Sequence, residues 1–122
     1  MRRQFLIFNL SLILLFFATR YSFPSPPKLR VISLAPSTTE ILFSLGLDEE
    51  IIGVSQFCNY PPGALTKEKI GSFSSTNIEK VLLLKPDIIF CTGLEQAPII
   101  TKLKQLNLKV YISAPSNFKE LY

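Results

Sequence analysis

Residues 30–46, RVISLAPSTTEILFSLG, indicate the fold class of this chain. RVISL is a short apolar run rich in β-branched side chains, which predicts a buried strand. Pro36 ends the strand, and residues 37–40, STTE, match a capping box that would begin a helix through the serine hydroxyl. The apolar residues of ILFSL continue the helix, and Gly46 predicts its end. The stretch therefore predicts a strand, a turn and a helix in direct succession.

The same pattern repeats along the rest of the chain. Besides RVISL, three apolar runs predict strands, IIGV, DIIFC and KVYI at residues 51–54, 87–91 and 109–112. Helices are predicted at residues 77–84, after a second capping box at Thr76–Glu79, and at residues 96–106. Strands that alternate with helices predict an α/β fold, a three-layer Rossmann-like lobe with a mainly parallel sheet.

The carboxyl ends of parallel strands lie along one edge of such a sheet, where ligands bind in open α/β folds. Residues 57–64, FCNYPPGA, follow the second predicted strand, and their two prolines exclude a mid-helix or central-strand position. Phe57, Tyr60 and Phe73 are aromatic residues in predicted loops, which suits a large, flat, partly apolar ligand. For Tyr60, packing against its own loop is the simpler interpretation.

Composition excludes several classes of function. The formal charge is +4, but three of the 13 basic residues lie at positions 2, 3 and 20, so 10 remain against 9 acidic residues. This balance predicts no nucleic-acid partner. The chain has no histidine, no glycine-rich dinucleotide fingerprint after the first strand and no phosphate-binding loop. We therefore predict no enzyme activity, no metal site and no intrinsic cofactor.

The amino-terminal segment predicts export. Residues 1–21 combine a short basic head with the apolar run FLIFNLSLILLFFA, which is shorter than a membrane span. Such a segment predicts an N-terminal signal helix, either a signal peptide or an uncleaved N-terminal anchor. Residues 22–29 predict an extended, proline-rich spacer. The predicted location is the periplasm, or the outer face of the cytoplasmic membrane if the leader is retained. Export permits a disulfide between Cys58 and Cys91, and two free thiols remain the alternative.

Three segments together resemble a known family. RVISLAPSTTEILFSLGL, IIGVSQFCNYPPGA and KIGSFSSTNIEKVLLLKPDIIF, which begin at residues 30, 51 and 69, are similar to the N-terminal lobe of periplasmic binding proteins for vitamin B12, haem and ferric siderophores. The resemblance covers residues 30–122. It implies the substrate-binding component of an ABC importer, with two lobes that clamp a corrinoid or iron chelate carrying its own metal. Residues 30–122 would then be one lobe, truncated before the interlobe helix and the second lobe.

The resemblance also implies roles for individual residues. Glu79 matches a glutamate that docks on arginines of the ABC permease. Phe57 and Phe73 lie where the family has other aromatic residues, so they keep an aromatic face but lose a polar group. The ligand-binding residues implied in this way are Pro36, Ser37, Phe57, Cys58, Tyr60 and Phe73. The alternative is a truncated exported interaction module, or a remnant without ligand binding. An isolated lobe is expected to oligomerise or to be poorly soluble, because its apolar surface would be uncovered.

Overall fold

The computed structural model describes residues 24–72, 74–93 and 97–113. In these residues five strands form one sheet in the order β3-β2-β1-β4-β5. All four pairings between neighbouring strands are parallel, which confirms the predicted α/β class. The strands are β1 Val31–Ser33, β2 Ile51–Val54, β3 Glu68–Lys69, β4 Ile88–Thr92 and β5 Val110–Ser113.

Within the described ranges, three α-helices and one 3-10 helix connect the strands. They are α1 Pro36–Ser44, the 3-10 helix Pro62–Thr66, α2 Ile78–Leu84 and α3 Ala97–Gln105. The four predicted strands and three predicted helices are all present, with ends that differ by one or two residues. The short strand β3 and the 3-10 helix were not predicted, because two charged residues and a proline-containing turn carry no apolar periodicity.

The first predicted capping box is wrong. Helix α1 begins at Pro36, its N-cap is Ala35, and no side chain caps it. Proline favours the first helical position because its fixed φ fits a helix and it has no amide hydrogen to satisfy. The helix therefore begins before Ser37, whose exposed side chain lies in the first turn rather than at the cap.

The second capping box is displaced by one residue. Asn77, not Thr76, is the N-cap of α2, and its side-chain oxygen accepts a hydrogen bond from the amide of Lys80 at 2.9 Å. The hydroxyl of Thr76 donates instead to the carbonyl of Ser72 at 2.9 Å. Glu79 still lies in the first turn of α2, where a carboxylate interacts favourably with the helix dipole.

The core is divided between the two faces of the sheet, as the predicted three-layer arrangement requires. The face that packs against α2 and α3, here called the two-helix face, contains Ile32, Leu34, Ile70, Val81, Ile89, Cys91, Ile100 and Leu103. The face that packs against α1, here called the one-helix face, contains Val31, Leu42, Ile51, Val54 and Cys58. Neighbouring residues of β1 alternate between the faces, as the two-residue period of a strand demands.

Cys58 and Cys91 are both buried and free, so the disulfide considered from the sequence is not formed. They belong to opposite faces of the sheet. Each thiol therefore has its own surroundings.

The predicted signal segment, residues 1–21, lies outside the described residues, as do residues 22 and 23 of the spacer. Residues 24–29 are exposed and form neither helix nor strand. Among the described helices, none has the length and apolar character needed to cross a membrane.

Candidate ligand-binding site

The carboxyl ends of all the strands lie at one edge of the sheet, because every strand runs in the same direction. A short turn after β1 leads into α1, which begins at Pro36, and the loop after β2 contains residues 57–64, here called the rim loop. Strands β1 and β2 are paired neighbours, so these two segments adjoin. Pro36 is half-buried and Ser37 is exposed. The structure thus brings five of the six predicted ligand-binding positions to one side of the edge.

The rim loop presents two aromatic side chains to solvent. The exposed fraction is 48% for Phe57 and 63% for Tyr60. The expectation that Tyr60 packs down on its own loop is therefore wrong. An exposed aromatic pair on a loop that contains two prolines is a pre-organised apolar surface. Contact of either ring with a ligand stays a prediction.

The predicted role of Cys58 as a ligand contact does not fit its position. Its side chain is fully buried on the one-helix face. The hydroxyl of Thr39 lies 3.1 Å from its sulfur, and the hydroxyl of Ser55 lies 3.2 Å from it. Thr39 also reaches the hydroxyl of Ser33 at 2.9 Å. Cys58 therefore anchors the start of the rim loop to a buried polar cluster, which joins β1, α1 and the end of β2.

Sequence reasoning missed this cluster. Ser33 lies in a predicted buried strand, Thr39 in the predicted capping box, and Ser55 just after the second predicted strand, and none of them was predicted to make a buried polar contact. Every buried side-chain nitrogen and oxygen atom among the described residues has a hydrogen-bond partner. A satisfied buried network makes a loop more rigid than apolar packing alone. Polar residues at two strand ends were the only signal in the sequence.

Lys69 was missed as well. It is the last residue of β3, and its ammonium nitrogen lies 2.6 Å from the carbonyl oxygen of Cys58 and 2.9 Å from that of Ala64. These two oxygens lie near the two ends of the rim loop. A long side chain can reach such acceptors from a neighbouring strand, and no local sequence pattern records the contact.

A pocket of about 460 Å³ lies beside the rim loop. Its lining side chains are polar, and it is lined by Gln56, Lys69, Gly71, Ser75, Thr76, Asn77 and Lys80. Glycine is required at Gly71, where φ is +98° and an added Cβ would lie 2.3 Å from the carbonyl oxygen of Ser75. Phe73 belongs to the same connection but lies outside the described residues, so its predicted role as a ligand contact stays a prediction.

Glu79 is exposed at the start of α2. Glu40 is exposed on α1, which packs on the opposite face of the sheet. Both helices follow strand ends at the carboxyl edge, so the two carboxylates flank the edge from opposite sides. This arrangement suits a basic partner, and the docking role of Glu79 stays a prediction.

The sequence matches a family model described as "periplasmic binding protein" over residues 31–122. The chain belongs to the periplasmic binding protein family. This finding confirms the resemblance and accounts for the all-parallel lobe. Among the described residues there is also no group of three or more potential ligating side chains that could hold a metal ion.

Curated relatives in the family include proteins named for one vitamin. The chain is 40% identical over 96 residues to the vitamin B12-binding protein of Vibrio cholerae, a match that covers 78% of this chain and 35% of that protein. It is 38% identical over 114 residues to the vitamin B12-binding protein of Vibrio vulnificus, with 93% and 41% covered. The chain therefore spans roughly two-fifths or less of the length of these relatives.

Solved structures give the same result for the fold. The vitamin B12-binding protein BtuF of Vibrio cholerae superimposes with a TM-score of 0.65 at 41% identity, over 69% of this chain and 33% of that one. A periplasmic haem-binding protein of Pseudomonas aeruginosa has a TM-score of 0.65 at 25% identity, over 73% and 32%. In each case the matched part makes up about a third of the solved chain.

Proposed function

We propose that this chain is the N-terminal lobe of the substrate-binding component of an ABC importer, and that it binds a corrinoid or an iron chelate such as haem or a siderophore. The observation that carries the proposal is the exposed aromatic rim at the carboxyl edge of the sheet, in a chain 40% identical to vitamin B12-binding proteins. A rim of this kind offers a flat apolar surface to a flat ligand.

A corrinoid is the favoured ligand. The relatives at 38–40% identity are vitamin B12-binding proteins, whereas the haem-binding structure is 25% identical. Phe57 offers only its ring face, which suits stacking on a large conjugated or corrin macrocycle rather than polar recognition. The ligand would bring its own metal, and the protein would hold it without chemical change.

The proposed binding mechanism depends on a rigid rim loop. The ring of the ligand would stack on Phe57 and Tyr60, while the buried cluster around Cys58 keeps the loop in place beneath them. A surface that is already ordered loses little conformational entropy on binding. In this proposal a second lobe supplies the other surface of the clamp. It would correspond to the part of the longer relatives that this chain does not match.

Delivery of the ligand would take place in the periplasm, at the permease of the importer. Glu79 is proposed as the docking carboxylate on this lobe, since it is exposed and lies in the first turn of α2. Arginine side chains on a permease would pair with it through charge-assisted hydrogen bonds.

A titration with cyanocobalamin and hemin tests the proposal. The variant Phe57→Leu keeps apolar volume but removes the aromatic face, so the dissociation constant is expected to rise about threefold to tenfold. The matched control is Leu83→Ala, which removes an apolar side chain that is 79% exposed on α2. The control is expected to bind as the wild type does.

Two outcomes would contradict the proposal. If neither ring ligand changes the absorbance of the mixture at high micromolar protein, the alternative of a ligand-blind interaction module is supported instead. If Phe57→Leu and Leu83→Ala weaken binding equally, the rim loop is not the ligand surface.

A further inference from the structure

Lys69 makes a contact that neither the family match nor the aromatic rim explains. Its ammonium nitrogen bridges the carbonyl oxygens of Cys58 and Ala64, at 2.6 and 2.9 Å. The two carbonyl groups are six positions apart in the sequence and enclose Tyr60 and the two prolines. A single charged group thus connects the beginning and the end of the projecting part of the rim loop.

The bridge is fixed to the sheet rather than to another loop. Lys69 lies opposite Val54 in the parallel pairing of β3 with β2, and the rim loop follows β2 directly. Its side chain is half-buried, and both hydrogen bonds are partly shielded from water. Hydrogen bonds from a charged donor are about twice as strong as neutral ones. Strand β3, only two residues long, therefore holds the loop through this side chain.

Removal of the ammonium group would leave two carbonyl oxygens close together without their shared donor. Cys58 would still be held through its sulfur by Thr39 and Ser55. The other backbone hydrogen bonds of Ala64 among the described residues are local: its amide donates to the carbonyl of Pro61, and its carbonyl accepts from the amide of Lys67. The far end of the loop would then lose its hydrogen bond to a side chain of β3.

We propose that Lys69 is a positioning residue for ligand binding, which sets the separation of Cys58 and Ala64 and so fixes the aromatic rings of the rim loop in their binding orientation. The inference rests on the proposed function, because it assigns Lys69 a part in binding a ring ligand. The inference goes beyond the proposed function because Lys69 would act on ligand binding by positioning the rim loop, without contacting the ligand.

The experiment compares Lys69→Met with Lys67→Met, a matched control two residues away. The ammonium of Lys67 binds the carbonyl of Asp48 and lies over the ring of Phe43, so its removal leaves the bridge intact. Both variants keep most of the aliphatic stem. Lys69→Gln, which keeps a shorter donor, is the second variant and is expected to fall between the wild type and Lys69→Met.

Two readouts are measured on the full chain. In Lys69→Met, the amides of Cys58 and Ala64 are expected to exchange hydrogen about tenfold faster, while the amides of β1 and β4 exchange as in the wild type. The dissociation constants for cyanocobalamin and hemin are expected to rise about tenfold, since the loop must be ordered on binding. Lys67→Met should change neither readout.

The inference and the proposed function fail in different ways. Wild-type protein that binds neither ring ligand would overturn the proposed function and, with it, the role of Lys69 in binding. Wild-type protein that binds, together with a Lys69→Met variant whose rim amides and affinities are unchanged, would overturn the role of Lys69 alone. Faster exchange spread equally over β1, β4 and the rim loop in both Lys69 variants would also overturn it, because it would mean a general loss of stability.

Discussion

The two faces of the sheet are built differently. On the two-helix face, side chains such as Ile89 and Leu103 are fully buried under α2 and α3. On the one-helix face, α1 packs over β1 and β4, but Phe90 of β4 stays half-buried and Tyr111 of β5 is 55% exposed. The comparison separates two kinds of packing: one face is closed by aliphatic side chains, and the other carries the buried polar cluster beneath the rim loop and leaves two aromatic side chains partly exposed.

The two cysteines show the same difference. The sulfur of Cys58, on the one-helix face, lies within hydrogen-bond distance of Thr39 and Ser55. Cys91, on the two-helix face, is surrounded by aliphatic side chains. Burial raises the pKa of the Cys91 thiol from 9.0 to about 12, and the positive charge of Lys104 opposes part of this rise.

The largest expected effect compares two buried leucines on helices. Leu103→Ala is expected to lower the free energy of unfolding by about 3–5 kcal/mol, because Leu103 is enclosed by the packed cluster of the two-helix face. Leu42→Ala, on the one-helix face, is expected to cost about 2–3 kcal/mol, since side chains at a partly open face can relax into the space. Urea unfolding of both variants measures the difference. An equal or larger cost for Leu42→Ala would break the comparison.

A smaller effect depends on pH. The pKa of Cys91 is raised in the folded lobe, so the thiol contributes its full stability below pH 9, and this contribution is lost as the pH rises toward 12. Relative to Cys91→Ala, the wild type is therefore expected to lose about 2 kcal/mol of unfolding free energy between pH 8 and pH 10.5. Urea unfolding of both proteins across this pH range measures it.

The control for the pH experiment is Cys58→Ala. This variant retains Cys91, so its unfolding free energy should fall over the alkaline range as that of the wild type does. If the alkaline loss disappears in Cys58→Ala and persists in Cys91→Ala, the assignment of the two thiols to different surroundings is contradicted.

The smallest effect concerns the helix caps of the two faces. Asn77→Ala removes the side chain that accepts from the amide of Lys80 at the start of α2, and it is expected to cost about 1 kcal/mol of unfolding free energy. Ser37→Ala is expected to change the stability by less than about 0.5 kcal/mol, because no side chain caps α1. Thermal unfolding of the pair checks both values. A larger loss of stability in Ser37→Ala would support the capping box that the sequence predicts.

Much of the fold was predictable because it depends on local patterns. Runs of β-branched residues located β1, β2, β4 and β5 to within one or two residues, and their alternation with helices predicted a parallel sheet. Strand β3 was missed because Glu68 and Lys69 owe their strand conformation to pairing with β2. The helix starts were misplaced because Pro36 begins α1 one residue before the predicted cap Ser37, and because Asn77 rather than Thr76 caps α2.

The site was less predictable than the fold. Phe57 and Tyr60 were identified from their loop, but their exposure depends on what packs beneath them. Cys58 was assigned to the ligand surface because the sequence does not tell which way a loop side chain points. Lys69 gave no signal, since its partners at Cys58 and Ala64 are brought near by the pairing of β2 with β3. Contacts made by long side chains across strands lie beyond local sequence patterns.

The central position of β1 has a consequence for how the lobe is made. Strand β1 pairs on one side with β2 and on the other with β4, and just before it the amide of Arg30 donates to the carboxylate of Asp87, 57 positions later in the sequence. Such distant pairings slow folding, because a long loop must close before they form. A chain that emerges from the ribosome amino end first therefore has an open edge at the middle of its sheet until β4 has been synthesised, and the lobe completes its core late in synthesis.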